Sequence, residues 1–273
     1  MRILILGVSS YAGQAIAKLL IKNHDVYGTY HVQKNSCLPE KKLFRLQLDD
    51  YDYIKHILAQ IRPQIIISSL RGDFQLQLKF HSFVADYLLT NDAGKIIFIS
   101  SSNVFDAAMK KPHYESDKTS SQSDYGNYKI TCEQMLQNKL KEKCVIVRIP
   151  QIYGKNCPRI LKLGEDIQNN TPIITYPDLY MNYTTDLQIA EWIDTIIIED
   201  LDGIFHIGTK DAYSYMQFQT DLISALGLKE PVFQEEVSCG KCFQAVLPGR
   251  TEIPEKLQMS VADILEYLKS VQK

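Results

Sequence analysis

The chain lacks the features that mark several large classes of protein. A net charge of −2 argues against a nucleic-acid binder, which would normally carry a basic stripe. No apolar run is long enough to cross a membrane, and the first such run, Ile3 to Leu6, is too short for a signal sequence. We therefore expect a cytoplasmic protein that binds neither nucleic acid nor membrane.

Cysteine is also sparse. The six cysteines are scattered along the chain, which is typical of a protein in a reducing compartment. Cys239 and Cys242 form the one close pair, but a structural zinc site would need two further ligands at a suitable spacing, and the sequence has no second pair. We expect ordinary thiols and no bound metal.

Strands and helices alternate over the first 150 residues, and no repeat or low-complexity linker interrupts them. Strands are expected over 2–6, 25–30, 43–48, 64–69, 95–100 and 144–149. Helices are expected after Gly13 and over 53–62 and 73–89, with a further helix beginning near Tyr125. This alternation predicts an α/β fold with a doubly wound parallel sheet of the Rossmann type.

The last 120 residues are less regular. They predict helices over 186–198, 214–226 and 260–269, the last with Ser260 and Asp263 as a capping pair. A strand over 203–207 is expected to rejoin the sheet. We therefore expect a dinucleotide-binding domain over 1–150 and a smaller C-terminal substrate lobe over 151–273, with about 185–208 returning to the sheet.

A strand, a glycine turn and a helix occupy the first residues. Such a turn presents backbone N–H groups and a helix N-terminus to a pyrophosphate. Ser10 stands where a third glycine is usual, so the phosphate must lie further away or accept a bond from its hydroxyl. The residues expected at the cofactor are Gly7, Ser9, Ser10, Tyr11, Ala12 and Gly13.

The end of the second strand bears on the choice of coenzyme. An acidic residue there would hold the 2′-hydroxyl of NAD. The chain has Thr29, Tyr30 and His31 instead, and nothing in this segment repels a 2′-phosphate, so NADP(H) is favoured and NAD(H) is left open. Asp49, after the third strand, either caps the next helix or reaches the cofactor. Expected contacts after the fourth strand are Ser69 and Leu70.

Tyr125 and Lys129 lie one turn apart on a predicted helix. A phenol titrates near ~10, and a fixed ammonium beside it would make acid–base chemistry accessible at neutral pH. Spacing alone is weak support, because three other Tyr-x-x-x-Lys pairs occur, at Tyr30, Tyr51 and Tyr114. The setting distinguishes this pair, since a serine run at 100–102 ends a buried strand at the sheet edge where ligands bind.

Seven segments then follow in a recognisable order. They are 7–13, 100–106, 114–117, 125–129, 147–154, 182–184 and 203–206. As an ordered set covering nearly the whole chain, they resemble the extended short-chain dehydrogenase/reductases, and within them the dTDP-4-dehydrorhamnose reductase branch. The resemblance implies an NADP-dependent reductase of a nucleotide-linked 4-keto-sugar. It also implies that Ser101 bonds the substrate oxygen, Tyr125 donates the proton, and Lys129 holds the nicotinamide ribose and lowers the pKa of Tyr125.

Departures from the family pattern bear on the substrate. Ser102 stands where the rhamnose reductases commonly have an aspartate, and Ser68 to Asp73 replaces small alanines followed by an acidic stretch. The residues expected at the substrate are Arg71, Ser102, Asn103 and Arg159, although Arg71 could equally be a solvated surface side chain. Arg148 is expected to pair with an acid. Two other functions stay open, an epimerase or dehydratase with tightly held NAD and a non-catalytic NADP-binding regulatory subunit. A homo-oligomer is also left open.

Overall fold

The strands and helices are those of a computed structural model that describes residues 1–91, 94–237 and 240–271. The strands are β1 (Arg2–Leu6), β2 (Asp25–Tyr30), β3 (Leu43–Arg45), β4 (Ile65–Ser68), β5 (Lys95–Ser101), β6 (Cys144–Ile149), β7 (Gln151–Tyr153), β8 (Ile173–Thr175), β9 (Leu179–Met181), β10 (Tyr183–Thr185), β11 (Gly203–His206), β12 (Tyr213–Ser214), β13 (Phe233–Glu235) and β14 (Cys242–Gln244). The helices are α1 (Tyr11–Leu20), α2 (Tyr51–Ile61), α3 (Phe74–Thr90), α4 (Asp124–Leu140), α5 (Pro158–Gln168), α6 (Asp186–Ile198), α7 (Tyr215–Ala225) and α8 (Val261–Val271).

A parallel sheet in the order β11-β6-β5-β4-β1-β2-β3 forms the centre of the described residues. The direction of winding reverses between β1 and β4. In an open α/β sheet, the crevice outside the carboxyl ends of the strands at such a reversal is where ligands bind. The predicted doubly wound Rossmann fold is confirmed, and β11 rejoins the sheet beside β6, as expected.

Helices cover both faces of the sheet. Ile3 and Ile5 of β1 point to the face that α1 and α6 cover, whereas Leu4 and Leu6 point to the face that α2, α3 and α4 cover. Successive side chains of a strand alternate between faces, so a strand buried on both sides needs an unbroken apolar run. This is why the central strands could be recognised from the sequence.

Short polar side chains fix several helix starts. Asp50 accepts from the Tyr53 N–H and begins α2, so the cap is the residue after Asp49. At α8 the Ser260 N–H donates to Asp263 Oδ2, and the Asp263 N–H donates to Ser260 Oγ, so the predicted capping pair is confirmed. Each such contact satisfies an N–H that has no partner within the helix.

One local prediction was wrong, and one helix was not predicted. The third strand was expected over 43–48 but ends at Arg45, because its neighbour in the sheet, β2, ends at Tyr30, which pairs with Arg45. Helix α5 was not anticipated, although Pro158 at its first position is a common helix start. Its sequence is on average polar, and only Ile160, Leu163 and Ile167 are buried.

The later part of the chain forms a second apolar cluster. Side chains from α5, α7, α8, β9 and β10 pack around the rings of Tyr153, Tyr183 and Phe218. Helix α6 packs instead on α1, on the face of the main sheet. The exact division at residue 150 stays a prediction.

Neither a membrane-spanning helix nor a metal site was expected from the sequence. Among the described residues, none of the helices is both long and apolar enough to span a membrane. No group of three or more metal-ligating side chains occurs in that part of the chain. Cys239 lies outside the described residues, and Cys242 is buried.

Candidate active site

A cavity of about 680 Å³ lies at the carboxyl edge of the main sheet. One wall consists of the glycine turn that leads into α1, called the α1 turn below, and the segments that follow β4 and β5. The other wall comes from the later part of the chain, including Gln151, Arg159, Met181 and Gln244. The cavity therefore lies at the reversal point of the sheet, between it and the second cluster.

Most of the residues expected at the site converge on this cavity. Those that line it are Ser10, Tyr11, Ala12, Ser69, Leu70, Arg71, Ser101, Ser102, Asn103, Tyr125, Lys129 and Arg159. Those that do not line it are Gly7, Ser9, Gly13, Thr29, Tyr30, His31 and Asp49. Of these, Gly7, Ser9 and Gly13 belong to the glycine turn. Thr29, Tyr30, His31 and Asp49 lie further along the sheet edge, near the ends of β2 and β3.

The glycine turn is held by close backbone approaches. Gly7 has φ +78°, and a Cβ there would lie 2.8 Å from the Ser69 carbonyl oxygen. Ser10 Oγ accepts from the Gly13 N–H at 3.0 Å and lies 2.7 Å from Ser69 Oγ. The serine that replaces a family glycine therefore uses its hydroxyl inside the turn, where it caps α1 and ties the turn to the end of β4.

Thr29 and Asp49 do not reach the cavity. Thr29 is buried, and its hydroxyl accepts from the Gly7 N–H at 3.1 Å, so it supports the turn from behind. Asp49 is exposed just before α2. Tyr30 and His31 lie at the end of β2, where Arg45 Nε donates to the His31 carbonyl at 3.2 Å. Thr29 therefore lies behind the turn and not at the ligand, whereas the contact expected of Asp49 stays a prediction.

Gly126 allows α4 to approach the end of β5. A Cβ at this position would lie 2.3 Å from the Asn103 carbonyl oxygen and 2.1 Å from Ser121 Oγ. Ser123 starts the helix by accepting from the Gly126 N–H. The two contacts bring the first turn of α4, with Tyr125, against the segment that carries Ser101.

Lys129 is almost fully enclosed, with 5% of its surface exposed. Its Nζ donates to the Ile99 carbonyl at 2.8 Å and lies 4.5 Å from the centre of the Phe98 ring. The Tyr128 and Tyr125 rings follow at 5.3 and 5.7 Å. Burial lowers the pKa of this lysine to about 8, so the ammonium form still predominates at neutral pH.

The phenol of Tyr125 is held in its protonated form. Burial raises its pKa above the ordinary value, and a hydrogen bond from Ser101 and the charge of Arg71 offset that rise only in part. The expectation that Lys129 lowers this pKa stays a prediction. The Lys129 ammonium is engaged by a carbonyl and the faces of aromatic rings, and the nearest lowering influences come from Ser101 and Arg71.

Three side chains that support the loop around Arg71 were not expected from the sequence. Tyr128 donates to Gln77 Oε1 at 3.0 Å, Gln77 Nε2 donates to the Gly72 carbonyl at 2.9 Å, and Phe74 stacks on Tyr128 at 5.0 Å. Phe74, Gln77 and Tyr128 all line the cavity. The spacing of Tyr128, three residues after Tyr125, could have indicated this, since both lie on one helix face.

Comparisons with known proteins agree with this architecture. A curated relative from Streptomyces niveus, a dTDP-4-keto-6-deoxy-D-glucose reductase, is 26% identical over 115 residues, which are 41% of this chain and 39% of the relative. The chain thus aligns with well under half of that relative's length.

Two solved structures show the same fold over nearly the whole chain. A dTDP-4-dehydrorhamnose reductase from Clostridium acetobutylicum superposes with a TM-score of 0.82 at 20% identity and covers 100% of both chains. A dTDP-4-dehydrorhamnose reductase from Bacillus anthracis in complex with NADP gives 0.79 at 19% identity, covering 99% of this chain and 98% of the other. The family described as RmlD substrate binding domain matches residues 73–266, which are well over half of the sequence. The chain belongs to the RmlD substrate-binding-domain family.

Proposed function

We propose that this protein is an NADP-dependent reductase of a nucleotide-linked 4-keto-sugar. The observation that carries the proposal is the convergence of Ser101, Tyr125 and Lys129 in one cavity beside the α1 turn. In this proposal residues 1–150 hold the dinucleotide and residues 151–273 hold most of the sugar nucleotide. The relatives named as reductases of dTDP-4-keto-sugars support the same substrate class.

The α1 turn fits a dinucleotide. A Cβ at Gly13 would lie 2.5 Å from the Gly7 carbonyl oxygen, so the two glycines let the strand pass into the helix by a short turn. The first N–H groups of a helix have no partner within it, and together with the helix dipole they favour a phosphate. Ser10 already takes the Gly13 N–H, and Tyr11 and Ala12, the first two residues of α1, line the cavity.

The chain's own groups then have defined tasks in carbonyl reduction. Bound NADPH would supply the hydride. Tyr125 holds the proton that the substrate oxygen takes as it becomes an alcohol. Ser101 offers a second hydroxyl at that oxygen, and the buried Lys129 ammonium places positive charge beside it, so developing negative charge is met by donors already in position.

The end of β2 supports NADP over NAD. Tyr30 and His31 place no carboxylate there, and Arg45, paired with Tyr30 in the sheet, brings a guanidinium to the same end of the strands. An arginine nearby is the usual device for a 2′-phosphate. The neighbour from Bacillus anthracis was crystallised with NADP.

Arg71 and Arg159 are the proposed contacts for the charged part of the substrate. Both are exposed guanidinium groups that line the cavity, one on each wall. Among the described residues neither forms an ion pair with a carboxylate. An arginine can bind a phosphate with two parallel hydrogen bonds, which suits a pyrophosphate.

We expect Arg71→Ala and Arg159→Ala each to raise the apparent KM for the sugar nucleotide about tenfold or more, since a charge-assisted contact contributes about 1.5–3 kcal/mol. The affinity for NADPH should change little. The measurement is steady-state kinetics, with Lys162→Ala as the control, because Lys162 lies on the same helix as Arg159 but pairs with Asp166 away from the cavity. An unchanged KM in both arginine variants would remove them from the substrate site.

The proposed activity is tested by NADPH oxidation with dTDP-4-keto-6-deoxyglucose and related sugars, alongside fluorescence titration of NADPH and NADH. We expect turnover, with NADPH binding at least as tightly as NADH. A strong preference for NADH would contradict the coenzyme assignment and return attention to Asp49. Tight NADPH binding without oxidation by any such sugar would instead favour a regulatory, cofactor-binding subunit.

A further inference from the structure

Two side chains of β7 point to the same side of that strand. Gln151 and Tyr153 are two residues apart, and alternate residues of a strand face the same way. Ile152, between them, packs on the other side, against the core under α1 and α6. Tyr153 is 2% exposed and does not line the cavity, whereas Gln151 is only partly buried and lines it. Gln151 therefore lies between the second apolar cluster and the cavity.

The Gln151 amide has a definite orientation. The Tyr153 hydroxyl donates to Gln151 Oε1 at 3.1 Å, and Gln151 Nε2 lies 3.9 Å from the Met181 sulfur, a weak acceptor. Burial raises the pKa of Tyr153, so the phenol keeps the proton that it donates. A reversed amide would place two acceptors, its oxygen and the sulfur, against each other and leave the phenol proton without this acceptor. The partners therefore direct the nitrogen end of the amide towards Met181, which lines the cavity.

One N–H of this amide is left for a ligand. A carboxamide nitrogen carries two N–H donors, and among the described residues the Met181 sulfur is the acceptor for one of them. The amide is neutral, so it suits a hydroxyl or carbonyl oxygen, whereas the guanidinium groups of Arg71 and Arg159 in the same cavity suit a phosphate. Gln151 thus offers the cavity a single, oriented donor.

The strand register places this donor close to the catalytic serine. Ile149 at the end of β6 pairs with Ser101, and Gln151 follows two residues later. Two residues of a strand span about 7 Å, which is close to the width of one sugar ring. The oxygen that Gln151 reaches is therefore on the sugar that carries the reacting carbonyl.

We propose that Gln151 is a specificity-determining residue, whose amide N–H donates to the hydroxyl next to the reacting carbonyl of the sugar, and that Tyr153 is the positioning residue that orients the amide. The inference rests on the proposed function, because that function places the carbonyl at Ser101 and Tyr125. In a 4-keto-sugar linked through its first ring carbon, this hydroxyl is on the third carbon. A sugar without it leaves the amide donor unpaired, so such a sugar should bind more weakly.

The test measures binding and does not depend on turnover. Isothermal titration calorimetry is carried out on the NADPH complex with dTDP-6-deoxyglucose, which has an alcohol in place of the carbonyl and cannot be reduced, and with its 3-deoxy and 2-deoxy counterparts. We expect the parent sugar to bind about tenfold more tightly than the 3-deoxy sugar, the worth of one neutral hydrogen bond. Gln151→Met keeps the length of the side chain without a donor, so it should bind these two sugars about equally. Its preference between the parent and the 2-deoxy sugar should stay that of the wild type.

Tyr153→Phe tests the positioning role. It removes only the hydroxyl that holds Gln151 Oε1, so the affinity for the parent sugar should fall about threefold, while the 3-deoxy sugar binds as before. A purely structural role would weaken both sugars. In the Gln151→Met background the same change should have no further effect. Gln168→Met is the matched control, because Gln168 is exposed at the end of α5 and does not line the cavity.

The outcomes separate this inference from the reductase assignment. A wild type that binds the parent and 3-deoxy sugars equally, or a Gln151→Met variant that still discriminates between them, would overturn the inference. A Gln151→Met variant that loses its preference against the 2-deoxy sugar instead would also overturn it. A protein that shows the expected discrimination but oxidises no NADPH with any 4-keto-sugar would lose the reductase assignment and keep Gln151 as a sugar contact.

Discussion

Tyr125→Phe is expected to lower kcat by about a thousandfold while leaving the affinity for NADPH nearly unchanged. The substitution removes only the hydroxyl, and general acid catalysis by a positioned side chain contributes about 10²–10⁴ in rate. The ring stays in place, packed against Phe74 and Tyr128, so the wall of the cavity is preserved. Single-turnover kinetics with NADPH and fluorescence titration of the coenzyme separate the two effects.

The other tyrosines with a lysine four residues later are internal controls. Tyr114 exposes 47% of its surface and does not line the cavity, and Tyr51 and Tyr30 lie at α2 and β2. Tyr114→Phe and Tyr51→Phe should leave kcat within about twofold of the wild type, because neither residue lines the cavity. Equal damage from Tyr114→Phe and Tyr125→Phe would show that the proton donor had been assigned to the wrong residue.

The sequence could indicate the sheet and the catalytic helix because both depend on local patterns. A strand buried on two faces, such as β6, is apolar throughout, and the predicted bounds Cys144 to Ile149 are those observed. The placement of the serine run at 100–102 followed from the rule that ligands bind at the carboxyl ends of parallel strands. These inferences need only the neighbouring residues and the direction of the chain.

Placement of individual side chains required information that the sequence pattern does not contain. Thr29 was expected at the cofactor because it ends a strand, but it is buried and bonded to Gly7. Met181 and Gln244 line the cavity from β9 and β14, two three-residue strands that pair although they are more than sixty positions apart. Strands this short have no measurable periodicity, and the pairing of distant segments is set by tertiary packing.

For Arg148 the sequence predicted the kind of partner but not which residue it is. An acid partner was expected for it, and the structure supplies Glu133 from α4, one turn after Lys129. Arg148 Nη2 lies 2.8 Å from Glu133 Oε2, and Nε donates to both carboxylate oxygens at 3.2 Å. The side chains of the two residues are only 4% and 3% exposed. The pair therefore fastens the helix that carries Tyr125 and Lys129 to the strand beneath it.

Glu133→Ala is expected to destabilise the protein by about 3–5 kcal/mol, because it leaves a buried guanidinium without a counter-charge. The neighbouring His206 cannot substitute for the carboxylate. Burial lowers its pKa to about 3, so the ring is neutral, and its Nε2 can only accept one bond from Arg148 Nη1. The measurement is the midpoint of urea unfolding followed by circular dichroism, together with its slope.

The double variant Glu133→Leu with Arg148→Met separates the loss of the pair from the loss of packing. Replacing both charges by apolar groups of similar size removes the desolvation cost along with the attraction, so its stability should return to within about 1 kcal/mol of the wild type. A single variant as stable as the wild type would show that water reaches Arg148. A double variant as unstable as Glu133→Ala would show that the contacts of the Arg148 guanidinium with Phe105 and His206, which methionine cannot reproduce, hold this part of the core together.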